Sequence, residues 1–449
     1  MTKNMTSGSP LRHIVSFAVP LFAGMLLQQL YNITDTVIVS KTLGEDALAA
    51  VGSIGPANFL ILGFCMGIAG GFAIPVAQRF GAKDLAGVKR YTGNILWIGA
   101  FAICAVTALA VLLCMPILKI TKTPENILDM AHDYLFVIFW GIPAMFTYNV
   151  LAGLIRSLGD SRSPLILLIF STCINVGLDL LFILAFHMGT MGAALATVIA
   201  QMCSVLGCLL IIARRLPELH LTKADVMFDF MAVKQLLRVG LPMGLLFSIM
   251  GVGSIFLQTA VNTLGSMSVA AVAAGGRLEG ILASVTLSLG NAMTTYCAQN
   301  LGAGKIDRIR KGVGICVLIG LAYSLISFIA VWLFGKTLAL LFIDAESTAL
   351  LELTYRYMRI CAAFFWTLSL VHIVRLAIQG LGYGKVVLVA GLLEMVGRGA
   401  IGLFFVPVFG FTAACFAAPS AWILADCFII PMFLVIMKRE AEKIPPAEI

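Results

Sequence analysis

Ala18-Val19-Pro20 opens an apolar run that ends at Lys41-Thr42-Leu43-Gly44, and Gly240-Leu241-Pro242 opens a similar run that ends at Asn262-Thr263-Leu264-Gly265. Corresponding positions in these two stretches are about 221 residues apart. The chain therefore contains an internal duplication, and this duplication decides the fold.

Two further motifs follow the same repeat. Gln78-Arg79-Phe80-Gly81-Ala82 returns as Gln299-Asn300-Leu301-Gly302-Ala303, and Ser157-Leu158-Gly159-Asp160 returns as Gly380-Leu381-Gly382-Tyr383. The offset changes only from about 221 to 223 residues, so the same elements recur in the same order. Each half of the chain is thus predicted to be one copy of a six-element bundle.

The composition indicates that these bundles lie in a membrane. The 449 residues are 60% hydrophobic and 12% charged, with a mean hydropathy of +1.02, whereas about a quarter of residues are charged in soluble domains. Apolar runs long enough to cross a hydrocarbon core of roughly 30 Å recur along the chain. They predict twelve spans, at about 13–39, 46–77, 92–117, 126–154, 164–186, 189–212, 235–262, 268–298, 312–335, 346–376, 386–408 and 411–437.

The predicted fold is an all-α polytopic membrane protein with twelve transmembrane helices in two six-helix, pseudo-symmetric lobes. The lobes are predicted at 1–213 and 234–437, joined by a polar cytoplasmic linker at 214–233 that has room for a short interfacial helix. A charged cytoplasmic tail at 438–449 is predicted to be disordered. Many membrane transporters use such duplicated bundles to place a central site between two halves.

Basic residues predict the orientation of the spans, because cytoplasmic loops are enriched in Lys and Arg. Most of the 30 Lys and Arg residues lie on the tails and the even-numbered loops, with Arg375 assigned to one of these loops. The odd-numbered loops contain only Lys41, Lys119, Lys122 and Lys336. Both termini are therefore predicted to be cytoplasmic. The net charge of +8 is explained by topology, and no nucleic-acid partner is expected.

Enzyme chemistry has no sequence signal here. The eleven cysteines are scattered and form no CxxC or Cys/His cluster, which argues against a disulfide scaffold and a zinc site. No HExxH, GxSxG or GxGD-type pattern indicates an intramembrane enzyme, and no repeated filter-like segment indicates a channel. The first span has no small-residue cleavage site, so a cleaved signal peptide is not expected.

Two acids lie well inside the spans of the first half, where a charge is costly and is a sign of function. Asp35 lies six residues before Lys41, about 9 Å from the outer end of its helix, and Asp179 lies about 12 Å from the end of the fifth span. Thr197 is about 12 Å deep in the sixth span. Asn175 precedes Asp179 by four residues and so shares its helix face.

This cluster predicts a cation site. Two carboxylates in a low dielectric cannot both stay ionised at low cost, so protonation of one becomes switchable. Together with the amide and the hydroxyl, the same oxygens are suitable ligands for Na⁺ at Asp35, Asn175, Asp179 and Thr197. The alternative is that the two acids only hydrogen-bond neighbouring helices and fix their packing.

The second copy carries different polar residues. Asp35 corresponds to Phe256 or Leu257, and Asp179 corresponds to Gly402. The second half instead has five ionisable residues that are candidates for a substrate cavity or a structural cluster, namely Arg277, Glu279, His372, Glu394 and Arg398. Glu394 and Arg398 have the i,i+4 spacing of an ion pair. Substrate contact remains the alternative role for this pair, and ligand binding the alternative for the histidine.

The chain resembles the multidrug and toxic compound extrusion (MATE) transporters over nearly its full length. The resemblance rests on the paired motifs above, on Leu48-Ala49-Ala50-Val51 and Val269-Ala270-Ala271-Val272, and on Gly192-Ala193-Ala194-Leu195-Ala196-Thr197. It implies two six-helix lobes that form a V, with substrate bound between or within them.

The resemblance also implies roles for residues. Asp35 and the Asn175–Asp179 pair match the N-lobe proton or sodium site of the family, with Asn149 and Thr197 beside them. The branch similar to NorM has acids in the seventh and tenth helices that are missing here, so the chain is closer to the DinF- and MepA-like branch.

The sequence therefore predicts a secondary active multidrug exporter and not an enzyme. It would exchange H⁺ or Na⁺ for amphipathic, cationic organic compounds by alternating access and would need no cofactor. The expected partners are drug-like molecules and the lipid bilayer, and the expected state is a monomer in the bacterial cytoplasmic (inner) membrane. The alternative function is a flippase for lipid-linked precursors.

Overall fold

The structure, a computed structural model, describes residues 3–121 and 123–443, and these fold into helices joined by short turns. The fifth span of the first half ends in a π-helical turn, Leu181–Ala185. The helices of the first half are α1 (Pro10–Leu43), α2 (Glu45–Ser53), α3 (Gly55–Gly81), α4 (Leu85–Ile120), α5 (Glu125–Trp140), α6 (Ile142–Ser157), α7 (Arg162–Leu180) and α8 (Gly189–Arg215).

The second half repeats this order. A second π-helical turn, Ile401–Phe405, follows the helix that corresponds to α7. The helices are α9 (Phe230–Asn262), α10 (Ser266–Gly302), α11 (Ile306–Ala339), α12 (Thr348–Ala363), α13 (Phe365–Gly380), α14 (Gly384–Ala400), α15 (Val406–Phe409) and α16 (Phe411–Glu442).

The helices account for the predicted membrane spans. Among the described residues, ten helices are long and apolar enough to cross a membrane. Two further spans are bent helix pairs: α5 and α6 meet at 46°, and α12 and α13 meet at 53°. Counting each pair as one span gives twelve, which confirms the predicted fold class.

The backbone records the duplication in detail. Both copies bend the fourth span, and both end the fifth span in a π-helical turn. Positive φ angles also recur at matching positions. The pairs are Gly44 and Gly265, Lys83 and Gly304, Gly159 and Gly382, and His187 and Gly410. The two halves therefore share their turns as well as their helices.

The described chain divides into two compact units. One contains Ala23–Ser248 with Lys3 and Asn4, and the other contains Met5–Phe22 and the chain from Ile249 onward. The boundaries lie inside α1 and α9, and not in the predicted linker. Within the first unit, the start of α9 packs on α3 at very short range, because a Cβ added to Gly67 would lie 2.4 Å from the backbone oxygen of Met243.

The segment predicted as a linker is folded against α4. It runs between Arg215 and Phe230 and contains a short 3-10 turn at Pro217–Leu219. Within it, the Trp97 indole donates to the Val226 carbonyl at 2.7 Å. The predicted disordered tail is corrected in part: α16 continues to Glu442, so the tail begins in a helix, while residues 444–449 lie outside the described residues.

Candidate functional site

Three helices of the first unit bring polar side chains together inside the spans. Asp35 comes from α1, Asn175 and Asp179 come from α7, and Thr197 comes from α8. Asn175 and Asp179 are buried, with 1% and 0% exposure, and the other two are half-buried. The structure thus gathers four of the five residues predicted for the coupling site.

The two carboxyl groups lie within hydrogen-bonding reach of each other. Yet Oδ1 of Asp35 and Oδ1 of Asp179 are buried and receive no hydrogen bond from any described residue. A buried acceptor without a donor is unfavourable, and two ionised carboxylates at this separation repel each other. A proton or a small cation held between the two acids removes both penalties.

Asn175 completes the lining of the carboxyl pair. In the amide orientation that satisfies both of its ends, Nδ2 donates to Asp179 Oδ2 at 2.9 Å, and Oδ1 accepts from the Thr197 backbone N–H at 3.2 Å. The amide therefore holds one oxygen of Asp179 in place and leaves the other available. This arrangement fixes the acid without neutralising it.

Two tyrosines at the site were not predicted from the sequence. The Tyr31 hydroxyl lies 3.1 Å from Thr197 Oγ1, one helical turn before Asp35 on the same face of α1. Tyr134 on α5 is 8% exposed and lies close enough to interact electrostatically with both acids. The i−4 spacing from Asp35 is the sequence signal for Tyr31, whereas Tyr134 is on another helix and has no such signal.

Asn149 does not join this cluster. Its Nδ2 donates to the backbone oxygen of Met145, one turn earlier in α6, at 2.8 Å. No hydrogen bond in the described part of the chain links it to either acid. The part of Asn149 in the coupling site therefore stays a prediction.

The four residues gathered from α1, α7 and α8 are suited to a proton or to Na⁺ rather than to a transition metal. All four residues can present oxygen atoms, the ligand type of hard cations. Over residues 3–121 and 123–443, no group of three or more His, Cys, Asp and Glu side chains is placed to hold a metal ion. The occupancy of the site by Na⁺ stays a prediction.

The second unit forms a different polar cluster. Glu394 is 3% exposed, and its Oε1 lies 2.5 Å from Arg375 Nη1, while its Oε2 lies 3.7 Å from Arg398 Nη2. The predicted pair of Glu394 and Arg398 is thus present, but the shorter contact is made by Arg375. The assignment of Arg375 to a loop was wrong, because this residue is buried in α13.

The other ionisable residues predicted in this half are more dispersed. Tyr357 donates to Glu279 at 2.8 Å, and Glu279 also interacts electrostatically with Arg398. The ring of His372 is buried, with Nδ1 2.9 Å from the Thr286 hydroxyl, as expected for an interior histidine. Arg277 is exposed on α10 and makes no ion pair among the described residues.

The second copy is tightly packed where the first has Asp179. The corresponding residue, Gly402, lies against α9: an added Cβ would be 3.2 Å from the Ala260 Cβ and 3.5 Å from the Phe256 carbonyl oxygen. Phe256 or Leu257 in turn corresponds to Asp35. The two positions are therefore close in both copies, as two acids in the first and as a glycine against the backbone of α9 in the second.

A sequence model of one family, MatE, matches this chain in two blocks. The blocks are residues 20–181 and 242–404, which together cover most of the chain and contain one copy of the repeat each. The chain belongs to the MatE family. It is therefore a multi-pass membrane protein of a transport family and not an enzyme.

Curated relatives and solved structures agree with the MatE assignment. The chain is 28% identical to the "Probable multidrug resistance protein YoeA" of Bacillus subtilis (strain 168), over 78% of this chain and 77% of the relative. It is 26% identical to the "FAD transporter" of Shewanella oneidensis, over 74% of each chain. A crystal structure of MATE in complex with MaL6 has the same fold, with a TM-score of 0.92 at 22% identity, over 99% of this chain and 100% of the other.

Proposed function

We propose that this MatE protein is a secondary active multidrug exporter that exchanges H⁺ or Na⁺ for amphipathic, cationic organic compounds. The observation that carries the proposal is that Asp35 and Asp179 interact with each other while each keeps one buried carboxyl oxygen without a donor among the described residues. Such a pair changes its charge when it takes up a single cation. Export of drug-like compounds is supported by the relative described as a multidrug resistance protein.

Coupling requires that the cation and the substrate favour different conformations. The first unit offers a direct route to this. Binding a cation between α1 and α7 removes repulsion between their carboxylates and so stabilises the arrangement in which the two helices are close. A membrane potential supplies about 2.3 kcal/mol per charge per 100 mV, so one ion supports roughly fiftyfold accumulation against a gradient.

The experiment is dye efflux in everted membrane vesicles. We expect Asp35→Asn and Asp179→Asn each to abolish proton-driven efflux, because an amide cannot exchange a proton in this range and carries no charge. Asp133→Asn is the matched control, since this acid is 59% exposed in the same unit and should be dispensable. Normal pumping by both site variants would overturn the proposal.

Varying Na⁺ at fixed pH separates the two coupling ions. If Na⁺ is the coupling ion, its gradient alone drives efflux, and Asn175→Ala, which removes one oxygen ligand, raises the Na⁺ concentration needed. If H⁺ is the coupling ion, efflux follows the pH gradient at any Na⁺ concentration. The same assay with a flavin nucleotide as cargo covers the activity of the relative described as an FAD transporter.

We further propose that the protein acts as a monomer in the bacterial cytoplasmic membrane, with both termini in the cytoplasm. All residues of the coupling site lie on one unit of one chain, so a second copy is not needed. The distribution of Lys and Arg supports the orientation. Labelling of a Lys311→Cys variant from outside intact cells by an impermeant maleimide would contradict it.

The flippase alternative has less support. A lipid-linked pyrophosphate would need free cationic side chains in the buried polar cluster of the second unit, but Arg398 and Arg375 both contact Glu394 there. Arg277 remains as a single exposed cation on α10. Export of small organic compounds therefore remains the proposal.

A further inference from the structure

A cavity of about 570 Å³ lies in the second unit, away from the buried cluster around Glu394. Its walls come from α11, α12 and α16, with Phe364 at the break after α12, and they lie near the ends of α11 and α16 that are predicted to face outward. Two of its lining residues, Arg356 and Arg359, are cations inside a predicted span. Neither the proposed coupling site nor the Glu394 cluster uses them.

Arg359 lies over an aromatic wall formed by Trp332 and Tyr355. Its guanidinium carbon is 3.8 Å from the centre of the Trp332 ring and 5.4 Å from that of Tyr355. Stacking uses the face of the guanidinium and leaves the N–H donors at its edge free. No hydrogen bond or ion pair engages these donors within the described part of the chain. Arg359 is therefore held in position, ready for an acceptor that the protein does not supply.

Most hydrogen-bond donors of Arg356 also lack a partner among the described residues. Its Nη2 donates to the Thr412 hydroxyl at 2.7 Å, which is a neutral partner for a group with five donors. The acid in the lining is Glu352, and this carboxylate is engaged by Lys336 at 2.6 Å. The cavity therefore presents two positive charges that no carboxylate of the lining neutralises.

The depth of these arginines makes their placement unusual. Arg356 lies eight residues after Thr348, the first residue of α12, or about 12 Å along the helix, and Arg359 lies about 17 Å along it. Cations at such depth are costly unless they find a counter-charge. The remaining wall is apolar, with Ile360, Phe364 and Phe416. An acidic group attached to an apolar body satisfies both parts of the cavity.

We propose that this cavity binds an anionic amphiphile, with its acidic headgroup held by Arg356 and Arg359 and its apolar part against Trp332, Phe364 and Phe416. Guanidinium groups bind phosphate, sulfonate and carboxylate oxygens through paired hydrogen bonds. The source is either an acidic phospholipid of the bilayer or a free organic anion. Trp332 is 45% exposed and Leu333 beside it is 70% exposed, so the wall continues into a lipid-facing surface.

The test uses the fluorescence of Trp332 in the full-length protein reconstituted into phosphatidylcholine vesicles. In one arm, a small fraction of the lipid is phosphatidylglycerol with brominated acyl chains, which quench nearby tryptophans, and brominated phosphatidylcholine is the comparison. In the other arm, the soluble anionic dye anilinonaphthalene sulfonate is added to vesicles without acidic lipid, and energy transfer from tryptophan is measured. Trp332→Phe identifies the part of each signal that comes from this cavity.

We expect the brominated acidic lipid to quench Trp332 several-fold more than the neutral one at equal mole fraction. Arg356→Gln/Arg359→Gln should abolish this preference, whereas Arg310→Gln/Lys311→Gln, which removes two exposed charges from the same unit, should keep it. Arg356→Lys/Arg359→Lys keeps the charge and loses the paired donors, so it should retain part of the preference even if the glutamine variant is unstable.

A signal in the dye arm alone, lost in the glutamine variant, would assign the cavity to a free anion and would still support an anionic amphiphile. Equal quenching by acidic and neutral lipid, together with dye transfer that does not depend on the arginines, would overturn the proposal. Neither readout depends on transport, so a failure here leaves the proposed coupling site untouched.

Discussion

Asp179 and Glu394 show two different ways of burying a carboxylate in this protein. One carboxylate oxygen of Glu394 contacts Arg375 and the other contacts Arg398, so the two arginines neutralise its negative charge. One oxygen of Asp179 accepts a hydrogen bond from the Asn175 amide. The other oxygen has no donor among the described residues, although the side chain lies beside Asp35. The first arrangement is suited to a carboxylate that stays ionised. The second is suited to a carboxylate whose charge is reversibly neutralised by a cation. At the residue scale, this contrast is the reason to place coupling in the first unit.

A stability measurement tests the structural role of Glu394. We expect Glu394→Gln to destabilise the protein by about 3 to 5 kcal/mol, because it leaves the buried Arg375 and the half-buried Arg398 without their counter-charge. Asp307→Asn is the control, since Asp307 pairs with Arg310 at 3.7 Å on the surface, where such pairs contribute less than about 1 kcal/mol. The readout is thermal unfolding of the purified protein in detergent. An equal, small effect of both substitutions would mean that Glu394 is not a structural residue.

The regular geometry of a helix made the depth of the site residues predictable. The rise of 1.5 Å per residue is fixed, so the depths of Asp35, Asp179 and Thr197 follow from counting residues to the ends of their spans. The partner of Glu394 could not be found this way. Arg375 comes from a different helix, and counting residues along one helix does not show which side chains of another helix it contacts.

At the scale of the element, the spans themselves were predictable and their breaks were not. An apolar run of twenty or more residues is a strong signal, and it gave all twelve spans. The bends of 46° and 53° leave no such signal, because the chain stays apolar through Gly141 and Phe364, the residues at the breaks. The π-helical turn after Leu180 likewise has no signal in the sequence, although π-helical turns are frequent at functional sites.

The turns between the first and second spans of each copy rest on glycine. Gly44 has φ 89° and ψ −174°, and Gly265 has φ 89° and ψ 167°, a region that residues with a Cβ rarely enter. We expect Gly44→Ala to destabilise the protein by about 1 to 3 kcal/mol, although the space around it is open. Thermal unfolding in detergent is again the readout.

Gly52 is the control for this substitution. It lies in α2, eight residues further along, and the space around it is equally open, but its backbone is helical. Gly52→Ala should therefore leave the stability unchanged or raise it by up to about 1 kcal/mol. The same loss of stability in both variants would show that added bulk, and not backbone geometry, is responsible.

At the scale of the whole molecule, the two copies share a scaffold and differ in chemistry. Their bends, π-helical turns and positive φ angles recur at matching positions. Where the first copy brings Asp35 and Asp179 together, the second places Gly402 against the backbone of Phe256. The sequence indicated this asymmetry because the repeat aligns the positions directly. This asymmetry supports the proposal that one unit alone carries ion coupling.

The most direct test of this claim is the release of ions when substrate binds to the purified protein. In a weakly buffered detergent solution without Na⁺, addition of a cationic dye should release protons from the wild type, measured with a pH indicator. If Na⁺ is the coupling ion, the dye should instead displace ²²Na⁺ from protein that was first equilibrated with it. We predict that Asp35→Asn/Asp179→Asn still binds the dye and releases neither ion. Release of as many ions from this variant as from the wild type would contradict coupling through the first unit.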